Sequence, residues 1–367
     1  MSEERIEQRT GEAIALLQRL IAIPSLSGKE EGTADEIERT LRAEGCDVER
    51  IGHNVWCRSR RFDPSRPTLL LNSHHDTVPP AASYTRDPFA PAIVDGRLYG
   101  LGSNDAGGPL VAMIAAFLLM EEGDDPGYDI ILSAVAEEES SGANGVPLLL
   151  PHLGPIACGI VGEPTSLMMA TAEKGLMVLD CEARGRSGHA ARDEGVNAIY
   201  KAFADIDWFR SYRFARESAM LGPVRMSVTM IESGTAHNVV PDRCRFVVDV
   251  RTTDAYTNRE TLDIITAHVD ATVTPRSTHL NPSGIASDHP LVRAAAALGV
   301  ATYGSPTLSD QSRMSFPTVK LGPGDSARSH TADEFIGVDE IADGVRMYAA
   351  LLREVGRVGL GEATTGR

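Results

Sequence analysis

The amino-acid sequence predicts an α/β protein: a mostly parallel sheet flanked by helices, with a smaller α+β domain inserted into it. Short apolar runs alternate with helical segments up to about residue 169, which is typical of a parallel sheet covered on both faces. From about residue 170 the order becomes strand–helix–strand–strand–helix, and after Pro282 the first pattern returns. At 367 residues the chain also exceeds the usual size of one hydrophobic core, so two domains are expected.

The first segment, residues 1–169, is predicted to supply most of the main sheet. Its first helix should stop at Pro24, because proline cannot continue a helix. A capping-box pattern at Thr33 and Glu36 predicts that a second helix begins there and ends at Gly45. The other elements predicted in this segment are helices at Pro109–Met120 and Val146–Leu150 and strands at Thr68–Leu71, Asp129–Val135 and Ile156–Val161.

The segment 170–281 is predicted to form a separate domain with the ferredoxin-like order of elements. Its predicted strands are Leu176–Ala183, Val224–Met230, Arg245–Val250 and a closing strand at Ala271–Thr274, and its helices carry Val196 to Ile206 and Leu262 to Val269. The segment 282–367 returns to the α/β pattern, with helices at Ala294–Leu298 and Val338–Val355 and a strand at Thr318–Leu321. We therefore predict one discontinuous domain, 1–169 with 282–367, around the inserted domain 170–281.

Composition argues against several classes of partner. Lys and Arg number 35 against 51 Asp and Glu, the net charge is −16 and no cationic run is present, so neither nucleic acid nor a membrane surface is expected as a partner. The longest apolar run, Leu110–Met120, is shorter than the roughly 20 residues that span a bilayer, and the N-terminus has no signal-peptide pattern. Five scattered cysteines without a CxxC pair are typical of a reduced, cytoplasmic protein.

Residues of metal-binding type follow three of the predicted strands. His74 and Asp76 follow the first, Glu138 and Glu139 follow the second, and Glu163 follows the third. In open parallel sheets the ligand crevice lies outside the carboxyl ends of the strands. These side chains are therefore expected to converge at one edge of the sheet.

Two further candidates, Asp105 and His330, each lie near glycines that let the backbone approach a bound centre closely. The spacing of His74 and Asp76 suits a metal ligand, because a metal-bound imidazole commonly donates its other N–H to a carboxylate. Clustered acids without a cation are unfavourable, since like charges about 4 Å apart repel by about 4 kcal/mol at an effective dielectric of 20. The pattern therefore predicts a site for divalent cations.

Each candidate also has an ordinary interpretation that the residues alone leave open. A single His after a strand is more often a hydrogen-bonded residue than a ligand, and three adjacent glutamates are usually a solvated stretch. Asp105 is a possible helix N-cap. The glycine-rich segment around it is similar to a phosphate loop but lacks the Gly-Lys-Ser/Thr ending, so a nucleotide-binding α/β protein is a weaker alternative. The coincidence of several such residues in one domain favours the metal site.

The ordered motifs resemble the M20 metallopeptidase family over essentially the whole chain, and within it the acetylornithine deacetylases and succinyl-diaminopimelate desuccinylases. The motifs are His74 to Pro79, the glycine-rich segment around Asp105, Glu137 to Glu139, Gly162 to Thr165, and His330. The resemblance implies a zinc-exopeptidase-like α/β fold with an inserted lid that also dimerises. It further implies a hydrolase with two zinc ions per chain, and cobalt or manganese also accept such ligands.

The resemblance also implies a role for each candidate residue. By this resemblance, His74 and Glu163 bind one zinc ion, Glu139 and His330 bind the other, and Asp105 bridges both. Asp76 orients His74, and Glu138 is the general base. The family also has a cis peptide after the bridging aspartate, which here is Asp105–Ala106.

Three residues of the inserted domain match substrate-binding positions of the family. His189 matches a histidine that reaches into the partner subunit's active site, which implies a homodimer formed through this domain. Asn238 and Arg251 match positions that hold the substrate's carboxylate, a task that suits the planar guanidinium. From the residues alone, surface-loop and strand-end roles are the alternatives.

The resemblance implies hydrolysis of the amide bond of a small-molecule N-acyl amino acid. The segment Thr307 to Gln311 is most similar to the acetylornithine deacetylases, so we expect N2-acetyl-L-ornithine to be cleaved to ornithine and acetate, a step of arginine biosynthesis. N-succinylornithine, N-acetylcitrulline, succinyl-diaminopimelate and a dipeptide are the alternative substrates. Asp310 is expected either at a cationic ornithine tail or in a turn. Outside this class, a non-catalytic metal-binding sensor is disfavoured because a sensor does not need Glu138.

Overall fold

The computed structural model describes residues 2–192 and 194–360. Its helices are α1 (Glu3–Ile21), α2 (Glu31–Ala43), α3 (Gly108–Glu121), α4 (Val146–Leu153), α5 (Ala198–Ser211), α6 (Asn258–Thr266), α7 (Pro290–Ala297) and α8 (Val338–Val358). Its strands are β1 (Val48–Ile51), β2 (Asn54–Arg58), β3 (Thr68–His74), β4 (Ala92–Val94), β5 (Arg97–Tyr99), β6 (Asp129–Val135), β7 (Cys158–Gly162), β8 (Met169–Glu173), β9 (Gly175–Arg184), β10 (Gly188–His189), β11 (Arg225–Ser233), β12 (Val239–Val240), β13 (Arg243–Thr252), β14 (Thr272–Pro275), β15 (Ser283–Gly284), β16 (Thr302–Ser305), β17 (Thr318–Leu321) and β18 (Phe335–Gly337).

The chain divides into two compact units. The first consists of the residues up to Thr171, Ile285–Tyr303 and those from Ser309 on, and the second consists of Ala172–Gly284 with Gly304–Leu308. The second unit therefore interrupts the first along the chain. Its limits lie close to the predicted insertion at 170–281, whose role as a lid and dimerisation domain stays a prediction.

The main sheet of the first unit has parallel strands at its centre. Its strand order is β1-β2-β6-β3-β7-β17-β8, in which β6, β3, β7 and β17 are parallel and the outer pairs are antiparallel. Both β3 and β6 are buried along their whole length, as expected of strands that lie between two layers of helices. The predicted α/β class is confirmed.

Helix α3 forms the centre of the first unit's core. It is buried from Gly108 to Met120 and contacts α1 and α8. Within the described residues, Ser103–Glu121 is the one helical stretch long and apolar enough to cross a membrane, and it lies wholly inside the protein, as expected of a core helix. A single π-helical turn, Ser103–Gly107, precedes α3 directly. The core packing of α3 therefore also positions Asp105, which lies in that turn.

The second unit contains an antiparallel sheet in the order β11-β13-β9-β14, which α5 and α6 contact. Along the chain these elements follow the order β9-α5-β11-β13-α6-β14, the ferredoxin-like pattern. Alternate residues of β9, including Met177, Leu179 and Cys181, are buried in this unit's own core, because strand side chains alternate between the two faces.

One local prediction was wrong. The Thr33–Glu36 pair does not cap α2, which begins before it and has Glu30 at its N-cap position. The Thr33 hydroxyl is buried, donates to the Glu30 carbonyl oxygen at 3.0 Å and lies 2.9 Å from Nδ1 of His75. Glu36 forms an ion pair with Arg19 instead. Tertiary contacts of both side chains therefore replaced the capping role that their spacing indicated.

Candidate metal centre

The loops that carry the predicted metal ligands leave neighbouring strands at one edge of the sheet. Strand β3 is paired in parallel with β6 on one side and β7 on the other, and His74 at its end lies opposite Val135 of β6. Because the three strands point the same way, the loops after β6 and β7 bring Glu138 and Glu163 next to His74. The structure thus brings these residues together as the strand pattern predicts.

Asp105 lies between the two predicted histidine ligands. Its Oδ1 is 3.2 Å from Nε2 of His74, and its Oδ2 is 3.7 Å from Nε2 of His330. Nε2 of His74 is also 3.9 Å from Oε1 of Glu163, and Nε2 of His330 is 2.9 Å from Oε2 of Glu139. The five side chains therefore form two groups that share Asp105.

Asp76 holds three parts of this site at once. Nδ1 of His74 lies 3.0 Å from its carbonyl oxygen and 3.3 Å from its Oδ1. Its carboxylate also accepts the backbone N–H of Glu138 at 3.0 Å and that of Glu139 at 3.1 Å, and the hydroxyl of Ser27 donates to it at 2.6 Å. Asp76 therefore contacts the His74 ring, and its role in orienting that ring stays a prediction. It also fixes the backbone of the acidic loop, which the sequence did not reveal.

Two more buried carboxylates hold the backbone of the ligand loops. Glu30 accepts the N–H of Glu137 at 3.2 Å, and its other oxygen lies 2.8 Å from Nδ1 of His53. Glu334 accepts three N–H groups of the segment 102–105. Sequence reasoning missed both residues, because the ligand-loop backbone that each one holds is more than 100 positions away along the chain.

Two of the clustered acids, Glu163 and Glu138, have raised pKa values. The pKa of Asp105 is lowered, because burial opposes its charged form but the hydrogen bond to His74 and the charge of that ring outweigh burial. Burial raises the pKa of Glu163 to about 8, and the charge of Asp105 adds to this. Burial likewise holds the pKa of Glu138 well above its usual range. For His74, burial opposes the charged form, but hydrogen bonds to Asp105 and Asp76 outweigh it and raise the pKa. Without a cation Glu163, Glu138 and His74 therefore retain protons that ligands must give up when a metal binds.

The donor set fits divalent cations. Ligand atoms of His74, Glu138 and Glu163 lie within 4.8 Å of one another, and so do those of His74, Asp105 and Glu139. Imidazole nitrogen and carboxylate oxygen are ligands that zinc, cobalt and manganese all accept. Positive charge here would also remove the repulsion among the buried acids.

The three predicted substrate-binding residues lie in the second unit. Strands β10 and β12 pair as a short ribbon, on which the N–H of Ala190 donates to the carbonyl oxygen of Asn238 at 3.1 Å. This ribbon brings His189 and Asn238 together. Arg251 lies on β13 and forms an ion pair with Asp249 at 2.8 Å. The roles of these residues in substrate binding stay predictions.

A mostly parallel α/β sheet whose carboxyl edge carries histidines and carboxylates is the arrangement expected of a metal-dependent hydrolase. The peptide bond Asp105–Ala106 is cis, as the resemblance implied. The model of peptidase family M20/M25/M40 matches residues 70–354. The chain therefore belongs to the M20 peptidase family, whose members hydrolyse amide bonds, and the family prediction is confirmed.

Relatives and solved structures agree with this assignment. The chain is 32% identical over 260 residues to a succinyl-diaminopimelate desuccinylase of Cereibacter sphaeroides, covering 66% of this chain and 68% of the relative. The enzyme of the same name from Corynebacterium glutamicum is 28% identical over 94% of this chain and 96% of its own length. The fold is similar to aminopeptidase PepT from Bacillus cereus, with a TM-score of 0.77, 20% identity and coverage of 94% and 98%. It is also similar to the Bacillus subtilis YXEP protein, described as a dinuclear metal-binding peptidase, with a TM-score of 0.73, 17% identity and coverage of 96% and 100%.

Proposed function

We propose that the protein hydrolyses the amide bond of an N-acyl amino acid at a centre of two divalent metal ions. One observation carries this proposal: the two carboxylate oxygens of Asp105 face two different histidines, and each histidine has its own glutamate. A carboxylate shared in this way suits a bridge between two ions. We propose zinc as the metal, with cobalt and manganese as substitutes.

The proposed ligands are His74 and Glu163 for one ion, Glu139 and His330 for the other, and Asp105 for both. When bound, such ions supply polarisation of the scissile carbonyl and acidification of water. The chain's own contribution is to fix these ligands on rigid strand ends. Asp76 keeps the His74 ring in one orientation through its contacts with Nδ1.

Glu138 is the proposed general base. Its backbone is fixed by Asp76, and its carboxyl oxygen lies within 4.8 Å of ligand atoms of His74 and Glu163. A raised pKa brings a carboxyl group closer to the working pH, where it can take a proton from water and return it to the leaving nitrogen. The adjacent Glu137 contacts Asn144 instead, at 2.8 and 3.0 Å.

The proposed substrate is N-succinyl-diaminopimelate, because the relatives that we describe carry that name. A feature of the second unit supports an anionic substrate. Arg225 lies opposite Arg251 in the β11–β13 pair, and their charges lower the pKa of Lys174 after the larger effect of its burial. Asp249 pairs with Arg251, so the three cations and this one anion leave a net positive charge, which suits the several carboxylates of this compound.

N2-acetyl-L-ornithine, the substrate that the sequence predicted, becomes the second candidate. Its proposed partner Asp310 is buried and accepts a hydrogen bond from Nδ2 of Asn72 at 2.9 Å. Asp310 also begins the 3₁₀ turn Asp310–Arg313, which favours the turn role that the sequence left open. Comparison of N-succinylornithine with N2-acetylornithine tests the preference for the acyl group. Comparison of N-acetylcitrulline with N2-acetylornithine tests the preference for the amino-acid side chain.

A hydrolysis panel tests the proposed function. With zinc-loaded protein, we expect kcat/KM for N-succinyl-diaminopimelate to exceed that for N2-acetylornithine, N-succinylornithine and N-acetylcitrulline by at least about 100-fold, because a site built for additional carboxylates rejects analogues that lack them. Release of the free amine is the measurement. A preference for acetylornithine would reverse the substrate assignment, and inertness towards all four compounds and towards dipeptides would contradict amide hydrolysis.

We further propose a homodimer formed through the second unit, in a cytoplasmic, reducing location. Large apolar side chains are exposed on α5 and on the edge strand β11: Tyr200 by 73%, Phe203 by 60%, Met230 by 64% and Ile231 by 58%. Burial of such a patch against a second copy would remove it from water. The five cysteines are all buried and free, which supports a reducing location.

A charge placed in this patch should produce a monomer. For the double variant Phe203→Glu/Met230→Glu, we expect sedimentation to show one chain where the wild-type protein shows two, because the introduced carboxylates resist desolvation. Leu298→Glu is the matched control, since Leu298 is an exposed apolar residue of the first unit. A monomeric wild-type protein, or a double variant that still dimerises, would contradict this interface.

A further inference from the structure

Glu334 lies four residues after His330 and directly before β18, with its side chain buried. Its Oε1 accepts the backbone N–H groups of Asn104 and Asp105, both at 2.9 Å, and its Oε2 accepts that of Gly102 at 3.0 Å. Its own carbonyl oxygen accepts the N–H of Gly100 at 3.0 Å. One residue therefore binds four backbone donors of the glycine-rich loop that carries Asp105.

The backbone of this loop cannot satisfy these donors by itself. Gly102 has a left-handed conformation with φ of 74°, and Asp105 has non-helical angles inside the π-turn. A buried N–H without a partner is unfavourable, and a carboxylate is the strongest acceptor available to it. The conformation in which Asp105 is presented therefore depends on the Glu334 carboxylate.

Asn104 provides a second connection between the glycine-rich loop that carries Asp105 and the loop that carries His330. Its Oδ1 accepts the N–H of Asp325 at 3.0 Å, and its Nδ2 donates to the carbonyl oxygen of Asp325 at 3.1 Å. The hydrogen bonds of Glu334 and those of Asn104 therefore each connect the loop of Asp105 to the loop of His330. The 3.7 Å separation of Asp105 Oδ2 from His330 Nε2 is thus set by side chains that touch neither proposed ion.

We infer that Glu334 is a positioning residue for the metal centre: it fixes Asp105, the proposed ligand of both ions, against His330, the proposed ligand of one of them. This inference rests on the proposed function in one respect, the presence of two metal ions. The contacts require a carboxylate rather than an amide at residue 334, because both side-chain oxygens accept hydrogen bonds from backbone N–H groups. In a glutamine, the amide hydrogens would face at least one of the N–H donors.

Zinc binding to the metal-free protein tests this inference without any assay of turnover. For Glu334→Gln, we expect competition with a chromogenic chelator to show both Zn²⁺ sites weakened, because Asp105 is a proposed ligand of both ions. The site that includes His330 should be weakened the more, by about 10- to 100-fold, the usual effect of losing a residue that orients ligands. With Co²⁺ as the probe, we expect an altered visible absorption spectrum. Glu334→Asp keeps the charge but is one methylene shorter, so an intermediate effect is expected.

Asp129→Asn is the matched control for a general loss of stability. Asp129 is an equally buried carboxylate that accepts the N–H of Asp63 at 2.9 Å and pairs with Arg66. It lies at the start of β6, whereas the proposed ligand Glu139 follows the opposite end of that strand. We expect it to lower the unfolding temperature without changing either zinc affinity. The inference is wrong if Glu334→Gln, or Glu334→Asp where the glutamine variant does not fold, binds both ions as the wild-type protein does. If the wild-type protein itself binds no zinc, the proposed function fails as well.

Discussion

Replacement of Glu138 by glutamine should lower kcat by about 10²- to 10⁴-fold, the range typical of removing a general acid–base group. The amide has nearly the same shape as the carboxyl group but cannot accept a proton. Because Asp76 holds residue 138 through its backbone N–H, the substitution should leave the loop in place. We therefore expect KM to change little and the metal content to stay at about two ions per chain.

The neighbouring Glu137 supplies a matched control. Its carboxylate contacts Asn144, and its backbone is held by Glu30, so Glu137→Gln changes the same charge in the same loop without removing a proton acceptor from the centre. We expect that variant to retain at least about a third of wild-type turnover. A fall of only a few-fold for Glu138→Gln would contradict its role as general base, whereas the absence of any turnover in the metal-loaded wild-type protein would favour the non-catalytic sensor. Steady-state kinetics with metal analysis on the same samples decides between these results.

The central sheet was predictable because its strands are continuous apolar runs buried on both faces. The observed limits of β6 and β17 coincide with the predicted Asp129–Val135 and Thr318–Leu321. The convergence of His74, Glu138 and Glu163 was predictable for a related reason. Once the strands are parallel and adjacent, the residues that follow them must lie at the same edge.

Long-range contacts of single side chains were not predictable. Glu334 reaches residues about 230 positions earlier in the chain, and no local period or motif marks it as a partner of Asp105. The β1–β2 hairpin was missed because its strands are only four and five residues long, although β2 pairs with β6 and is largely buried. The packing of Gly304–Leu308 with the second unit likewise depends on tertiary structure rather than on local sequence. Sequence therefore indicated the proposed ligands better than the residues that hold them in place.

Replacement of Asp105 by alanine should have the second large effect, the loss of both metal ions. Its Oδ1 faces His74 and its Oδ2 faces His330, so its removal takes a donor from each group. Since Glu138 cannot compensate for a missing metal centre, hydrolysis should become undetectable. Metal analysis after dialysis should find well under one ion per chain, on the assignment of a shared carboxylate.

Single-group variants show whether Asp105 is in fact shared. Glu163→Ala and His330→Ala each remove a proposed ligand of one ion only, so each should retain about one ion, and they should lose opposite ions. If Asp105→Ala also retains one ion, Asp105 belongs to a single group and the bridging assignment is wrong.

Unfolding temperatures of the metal-free proteins provide the control. In the metal-free protein, repulsion by Asp105 adds to burial in raising the pKa of Glu163, but Asp105 also pairs with His74. Its loss removes one repulsion and one attraction, so we expect the metal-free variant to unfold at a temperature close to that of the metal-free wild-type protein. A metal-free variant much less stable than that would show that its low metal content reflects misfolding rather than a missing ligand.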